Sequence, residues 1–246
     1  SAARGLRSTR FPMGVLTTNS VTYGYTGTDD LTEAASLLYQ SRLDGGAWSA
    51  LSSALSRTLT AVTDGAHTFE VRASDAGGNV DVSPASRTFT TDAVGPIITI
   101  TSGPAANACV NTSGVTFNWT ATDAVTPQGN LLYAWQIDGG ALSTFALALS
   151  ANPAGLGEGL HTFTIQARDG SNNITSLART FRVDVTTPVV NAPPTHVTDA
   201  SHIRVQCSAS DFGGVTGFHI QMSPDPAFGS TAADVNVSAT GTYDFT

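Results

Sequence analysis

Two histidines, His67 and His161, stand 94 positions apart in matching surroundings, Gly65-Ala-His-Thr-Phe69 and Gly159-Leu-His-Thr-Phe163. Neutral imidazole is a common metal ligand and titrates near neutral pH, so a repeated histidine is a natural candidate for a site. The acids Asp64, Asp92, Asp123 and Asp169 form a second candidate set. Carboxylates gathered from several loops offer the hard oxygen donors that Ca²⁺ takes roughly six to eight at a time. The run Asp75 to Asn79, copied as Asp169 to Asn173, fits either a cation loop or a tight hairpin. We read it as a hairpin, in which Asp and Asn bond the local backbone and Gly supplies positive φ.

Covalent and catalytic chemistry has little to start from. There is no His-Glu-x-x-His, Gly-x-Ser-x-Gly, phosphate loop or Cys-x-x-Cys, so hydrolase, metalloprotease and nucleotide readings lack a first residue set and we expect no enzyme. Cys109 and Cys207 are 98 residues apart at non-equivalent positions, which predicts free thiols. Cys207 fills a strand slot occupied elsewhere by Tyr25 and Trp119, as a core thiol would. Asn111, Asn118, Asn173 and Asn236 each begin an Asn-x-Ser/Thr sequon, as a chain rich in Ser and Thr produces by chance.

Composition narrows the partners. All eleven basic residues are arginines, so a Lys-Asn isopeptide crosslink is excluded. The net charge of -8 excludes a basic footprint for nucleic acid or anionic membrane. Charged residues make up 12% of the chain, about half the usual share, leaving a surface dominated by hydroxyls. Stretches such as Val94 to Ile100 are far too short to span a bilayer as a helix, so no direct membrane insertion is expected.

The elements that must position these residues emerge from self-comparison. Val21-Thr-Tyr-Gly-Tyr-Thr-Gly-Thr-Asp29 aligns with Val115-Thr-Phe-Asn-Trp-Thr-Ala-Thr-Asp123 and with Ile203-Arg-Val-Gln-Cys-Ser-Ala-Ser-Asp211. Val21, Tyr23 and Tyr25 alternate with Thr22, Gly24 and Thr26, the period of a half-buried strand. Helical spacing is confined to a short stretch near Leu31 to Leu38. We therefore expect an all-β chain of tandem immunoglobulin-like antiparallel β-sandwiches: repeat 1 over 1–94, repeat 2 over 95–186, and an incomplete repeat 3 over 187–246. In repeat 1 strand A is expected near Pro12 to Thr17, B near Val21, C ending at Asp44-Gly-Gly46, E near Arg57 to Val62, F from His67, and G near Arg87 to Thr91.

In repeat 3, Gly241-Thr-Tyr-Asp-Phe245 aligns with the start of strand F, so the repeat is expected to stop within that strand. Either the polypeptide continues past residue 246 or another chain supplies the missing strand. The alignment also puts Tyr243 where the other copies carry histidine. Tyr at the start of strand F is the tyrosine-corner position, so His67 and His161 are read as corner residues bonding nearby backbone and not as ligands.

The run Asp44-Gly-Gly-Ala-Trp48, Asp64-Gly-Ala-His-Thr-Phe-Glu-Val-Arg-Ala-Ser-Asp75, Gly78-Asn79 and Arg87-Thr-Phe89 resembles the bacterial-type immunoglobulin-like tandem repeats of large extracellular surface proteins. Repeat 2 departs from it at Leu142 and Asn172. The resemblance implies a structural or adhesive segment at the cell surface or outside the cell, acting as a spacer or as a packing unit of a fibre, sheath, surface layer or appendage. Its expected partners are further copies of itself or further domains of the same polypeptide. A glycan-binding accessory module of a secreted enzyme is the alternative, with surface glycans held by exposed aromatics such as Trp48.

Sandwich topology sharpens the acidic set. B–C and F–G loops lie where the chain enters a repeat and the E–F loop where it leaves, so each junction collects acids. The first gathers Asp64, Asp92, Asp123 and Asp169 as a possible junctional Ca²⁺ site, and the second would use Glu158, Asp184 and Asp211.

Overall fold

The computed structural model describes residues 7–10, 14–190, 195–198, 203–211, 214–222, 233–238 and 241–245. The first repeat comprises β1 (Arg7–Arg10), β2 (Val15–Leu16), β3 (Val21–Thr26), β4 (Leu38–Leu43), β5 (Ser56–Leu59), β6 (Gly65–Ser74) and β7 (Ala85–Thr91). These form one sheet of order β1-β3-β5 and a second of order β2-β7-β6-β4. The pairing is antiparallel except that β2 runs parallel to β7. Strand A is thus split: β1 pairs with β3, and β2 crosses to the opposite sheet. Only the second half was expected from the sequence.

The second repeat repeats this plan. Its strands are β8 (Ile97–Ser102), β9 (Cys109–Val110), β10 (Phe117–Thr122), β11 (Leu132–Ile137), β12 (Ser150–Ala151), β13 (Gly159–Arg168) and β14 (Ile174–Val183). The sheets are β12-β10-β8 and β11-β13-β14-β9, with β9 parallel to β14. Both repeats are immunoglobulin-type sandwiches. The helical stretch near Leu31 is one 3₁₀ turn, Ala34–Ser36, matched by Gln128–Asn130. Among the described residues no helix is long and apolar enough to cross a membrane.

Alternation along the strands builds two separate cores. Val21, Tyr23, Tyr25, Phe69, Val71 and Ala73 face inward in the first, and Phe117, Trp119, Ala121, Phe163, Ile165 and Ala167 in the second. Each core centres on a stacked pair from facing sheets. Tyr23 lies over Phe69 with centroids 4.5 Å apart, and Phe117 over Phe163 at 4.0 Å. Such pairs add roughly 0.5–1.5 kcal/mol beyond the area they bury.

In the third repeat the described strands are β15 (Val189–Val190), β16 (Thr195–Thr198), β17 (Ile203–Cys207), β18 (Ala209–Ser210), β19 (Gly217–Met222), β20 (Ala233–Ser238) and β21 (Gly241–Phe245). Here the sequence expectation needs correction. β21 pairs antiparallel with β17, flanked on its other side by β16, which is the place β5 holds beside β3. It is therefore the E-type strand and not the start of strand F. Val205 faces Tyr243 in the register in which Tyr23 faces Arg57, so Tyr243 occupies the position of Arg57 and not of His67. Strands E and F share a period-2 pattern, and a five-residue match cannot separate them; pairing does. The side chains of Tyr243 and Cys207 lie outside the described residues.

Candidate functional site at the first junction

The corner histidines fix the loop that reaches the junction. His67 Nε2 lies 2.7 Å from the Thr63 carbonyl and Nδ1 lies 2.8 Å from Asp44 Oδ2. His161 repeats this with the Gly157 carbonyl at 2.9 Å and Asp138 Oδ2 at 2.7 Å. Each histidine bonds backbone four residues upstream, as a corner residue does. Their carboxylate partners, in the Asp-Gly-Gly turns, were not anticipated from sequence. Asp44 and Asp138 take φ of 50° and 53°, and their second oxygens accept the Thr68 and Thr162 N–H groups.

Both ring nitrogens face acceptors, so the doubly protonated ring satisfies both contacts. At His67 burial opposes the charge, but the bonds to Asp44 and Thr63 outweigh it and the pKa is raised. At His161 the Gly157 carbonyl leads, helped by Asp138 and opposed by burial, with the same result. Thr91 Oγ1 also donates to the Thr63 carbonyl, so the E–F loop is held from two sides. The residue after Thr63 is Asp64, and the residue after Gly157 is Glu158.

Asp64 uses this fixed position to hold the linker. Its two oxygens accept the Ala93 and Val94 N–H groups, both at 2.9 Å. Asp92 extends from the end of β7 with its N–H on the Leu16 carbonyl at 2.8 Å. From the far side, repeat 2 grips the same residue: Ser171 Oγ donates to Asp92 Oδ2 at 2.6 Å and Asn173 Nδ2 to the Asp92 carbonyl at 3.0 Å. Gly95 completes the contact. A Cβ there would lie 2.7 Å from Thr175 Oγ1 and 3.1 Å from the Ile174 backbone, so only glycine lets the linker approach β14 so closely.

The structure brings three of the four sequence-selected acids together. Asp92, Asp123 and Asp169 each place an oxygen within 4.8 Å of the other two. Asp64 stands aside as the linker cap, sharing with Asp123 the wall of an adjacent cleft of about 320 Å³ that also includes Gly95 and Ile97. Asp123 Oδ1 accepts the Val125 and Thr126 N–H groups, and Asp169 accepts Ser171 N, Asn173 N and Asn173 Nδ2. Burial, with the charges of Asp169, Asp123 and Asp64, raises the Asp92 pKa against the hydrogen bond from Ser171. Asn173 is thus a junction residue whose sequon nitrogen is already engaged.

Asp75 accepts Asn79 N at 2.8 Å and Asn79 Nδ2 at 2.7 Å, closing the F–G hairpin. Trp48 is half-buried, with the guanidinium of Arg42 4.4 Å and that of Arg72 4.1 Å from its ring centroid. Arg42 is itself paired with Glu70 through two bonds of 2.7 and 3.0 Å. Cys109 is an exposed free thiol on β9. At the second junction Glu158 accepts the Val185 N–H at 2.8 Å, and Thr186 Oγ1 lies 3.4 Å from Asp184 Oδ1 and 3.5 Å from Asp211 Oδ1.

No family model matches the chain. It is similar to chitinase A1 of Niallia circulans, 31% identical over 145 residues that cover 55% of this chain and 20% of the relative. It is also similar to exoglucanase B of Cellulomonas fimi, 29% identical over 255 aligned positions covering 95% of this chain and 23% of the relative. The chain therefore spans between a fifth and a quarter of the length of these relatives. Among solved structures it is similar to the N-terminal eight immunoglobulin domains of Down syndrome cell adhesion molecule isoform 1.30.30. The TM-score is 0.51 at 14% identity, over 90% of this chain and 30% of that one. That likeness shows the immunoglobulin fold.

Proposed function

We propose that this tandem of immunoglobulin-like β-sandwich repeats is a stiff structural segment of a larger extracellular or cell-surface polypeptide. It sets distance between other parts of that polypeptide or packs against copies of itself. The carrying observation is the first linker. A passive tether between sandwiches is solvated and free, whereas Asp92 is 1% exposed and residues 92–94 are hydrogen-bonded, Ala93 and Val94 by repeat 1 and Asp92 by repeat 2. Its surface suits lateral packing. Charge is sparse, and the edge strands β5 and β12 are flanked at matched positions by Leu55 and Leu149, 54% and 46% exposed. Small-angle scattering on the full chain tests the reading: a rod-like profile independent of salt supports it, and a flexible-chain profile opposes it. Electron microscopy at rising concentration reports whether copies associate laterally.

A glycan-binding accessory role is a second reading, favoured by the likeness to a chitinase and an exoglucanase. Trp48 is the aromatic that would serve it, although Arg42 and Arg72 already stack on its ring. Pull-down on chitin and insoluble glucan, with Trp48→Ala as the comparison, decides between them. Retention lost in the variant, with the fold intact, supports glycan binding; no retention of either protein opposes it.

A further inference from the structure

The structure assigns a calcium site to the joint between the first two repeats, with Asp92, Asp123 and Asp169 as its protein ligands. One oxygen from each lies within 4.8 Å of the others. Ca²⁺ holds oxygens at about 2.3–2.6 Å, so two ligands of one ion sit at most about 5 Å apart and the three fit a single shell. Asp92 is 1% exposed, and its Oδ1 has no hydrogen-bond partner although its neighbour Oδ2 is bonded to Ser171. A buried carboxylate oxygen without a donor costs free energy unless a cation or proton meets it. The charged groups that act on Asp92 are Asp169, Asp123 and Asp64, all acids.

A proton bridges two carboxylates and leaves the third unrelieved; a divalent cation engages all three. Asp123, half-buried on the cleft wall, opens the site towards solvent, which supplies the water that a calcium shell needs beyond its carboxylates. The site is also divided between repeats. Asp123 and Asp169 stand at the leading end of repeat 2, where their counterparts in repeat 1 are Asp29 and Asp75. That first pair interacts electrostatically, and Asp29 Oδ2 is likewise buried without a partner. Asp92, from the trailing end of the preceding repeat, completes the seat. Calcium therefore binds the joint and not a single sandwich.

The test is calorimetric titration of the EDTA-stripped full chain with CaCl₂, together with thermal unfolding with and without Ca²⁺. One ion per chain is expected, at the first joint, with Kd on the order of 10⁻⁴ M and a rise in melting temperature of about 10 °C at a hundredfold excess over Kd. Asp92→Asn and Asp123→Asn each weaken binding at least about tenfold and remove most of the thermal shift, while Asp29→Asn keeps both. Absence of heat and thermal shift in the native chain overturns the assignment. So does undiminished binding in both junction variants, or an equal response to MgCl₂. A joint that stays rigid without binding Ca²⁺ leaves the spacer reading intact, so the two failures are distinguishable.

Discussion

The two junctions are made from matching positions and come out differently. In both, the trailing acid bonds back to its own repeat, Asp92 N–H to Leu16 and Asp184 N–H to Val110. In both, the acid after the histidine-held loop caps linker N–H groups, Asp64 with two bonds and Glu158 with one. Beyond that they diverge. Asp92 and Pro96 are buried, whereas Asp184 is half-buried and Pro188 exposed. Gly95, whose lack of a Cβ permits the close approach to Thr175, is replaced by Thr187. Acids alone therefore do not make a joint. At the first joint the following repeat reaches back with donors, Ser171 and Asn173, and Gly95 is small enough to be reached.

The largest expected effect breaks both junctions at once. Phe163 is fully buried under Phe117. Phe163→Ala should cost about 3–5 kcal/mol. In differential scanning calorimetry the transition of repeat 1 should fall with that of repeat 2, because the first joint couples them; a repeat 1 transition that stays put breaks the comparison. Gly95→Ala attacks the first joint directly, since its Cβ would meet Thr175 Oγ1 at 2.7 Å. About 1–3 kcal/mol of overpacking is expected, read as faster hydrogen exchange at Ala93 and Val94, while Thr187→Ala at the second junction changes nothing comparable. Smaller again is the contrast between caps. Asp64→Ala removes two charge-assisted bonds and Glu158→Ala removes one. The first should lower stability by about 1–3 kcal/mol and the second by less, measured by urea denaturation.

The smallest effect is the pH dependence of the corners that hold those caps. The folded pKa values of His67 and His161 are raised above 6.5, so their stabilisation is complete below that value and is lost as pH rises through the folded value. Asp44 and Asp138 are also partly buried, which opposes ionisation. Their bonds to histidine and to the Thr68 and Thr162 N–H groups prevail and lower their values below 3.8. Their contribution is present above 3.8 and is lost as pH falls through the folded value. The corners are therefore strongest between about pH 4 and 6.5. His67→Gln and His161→Gln should each flatten the alkaline limb of a melting-temperature profile, and an unchanged profile would contradict the pairing.

Much of this was legible in the sequence. Alternation at Val21, Tyr23 and Tyr25 and its copies marks the inward faces, and self-comparison with sandwich topology selects four acids, of which Asp92, Asp123 and Asp169 meet while Asp64 caps the linker. What stayed hidden depends on distance through space. Asp44 and His67 are 23 residues apart, and nothing local tells that their side chains touch. The close approach that requires Gly95 is set by Thr175, on another repeat. The identity of β21 is a pairing fact, and the short pattern Gly241-Thr-Tyr-Asp-Phe245 serves strand E as well as strand F. Trp48 is half-buried and not the exposed aromatic the sequence suggests, because Arg42 and Arg72 come to it from neighbouring strands.

The central claim is that the first linker is a rigid part of the fold, and backbone ¹⁵N relaxation of the full chain tests it most directly. Order parameters of about 0.85 are expected for Ala93 and Val94, matching the strands on either side, with lower values at Val185 and Thr186. Values below about 0.6 at Ala93 and Val94 would mean that the repeats are joined by a tether, and would contradict it.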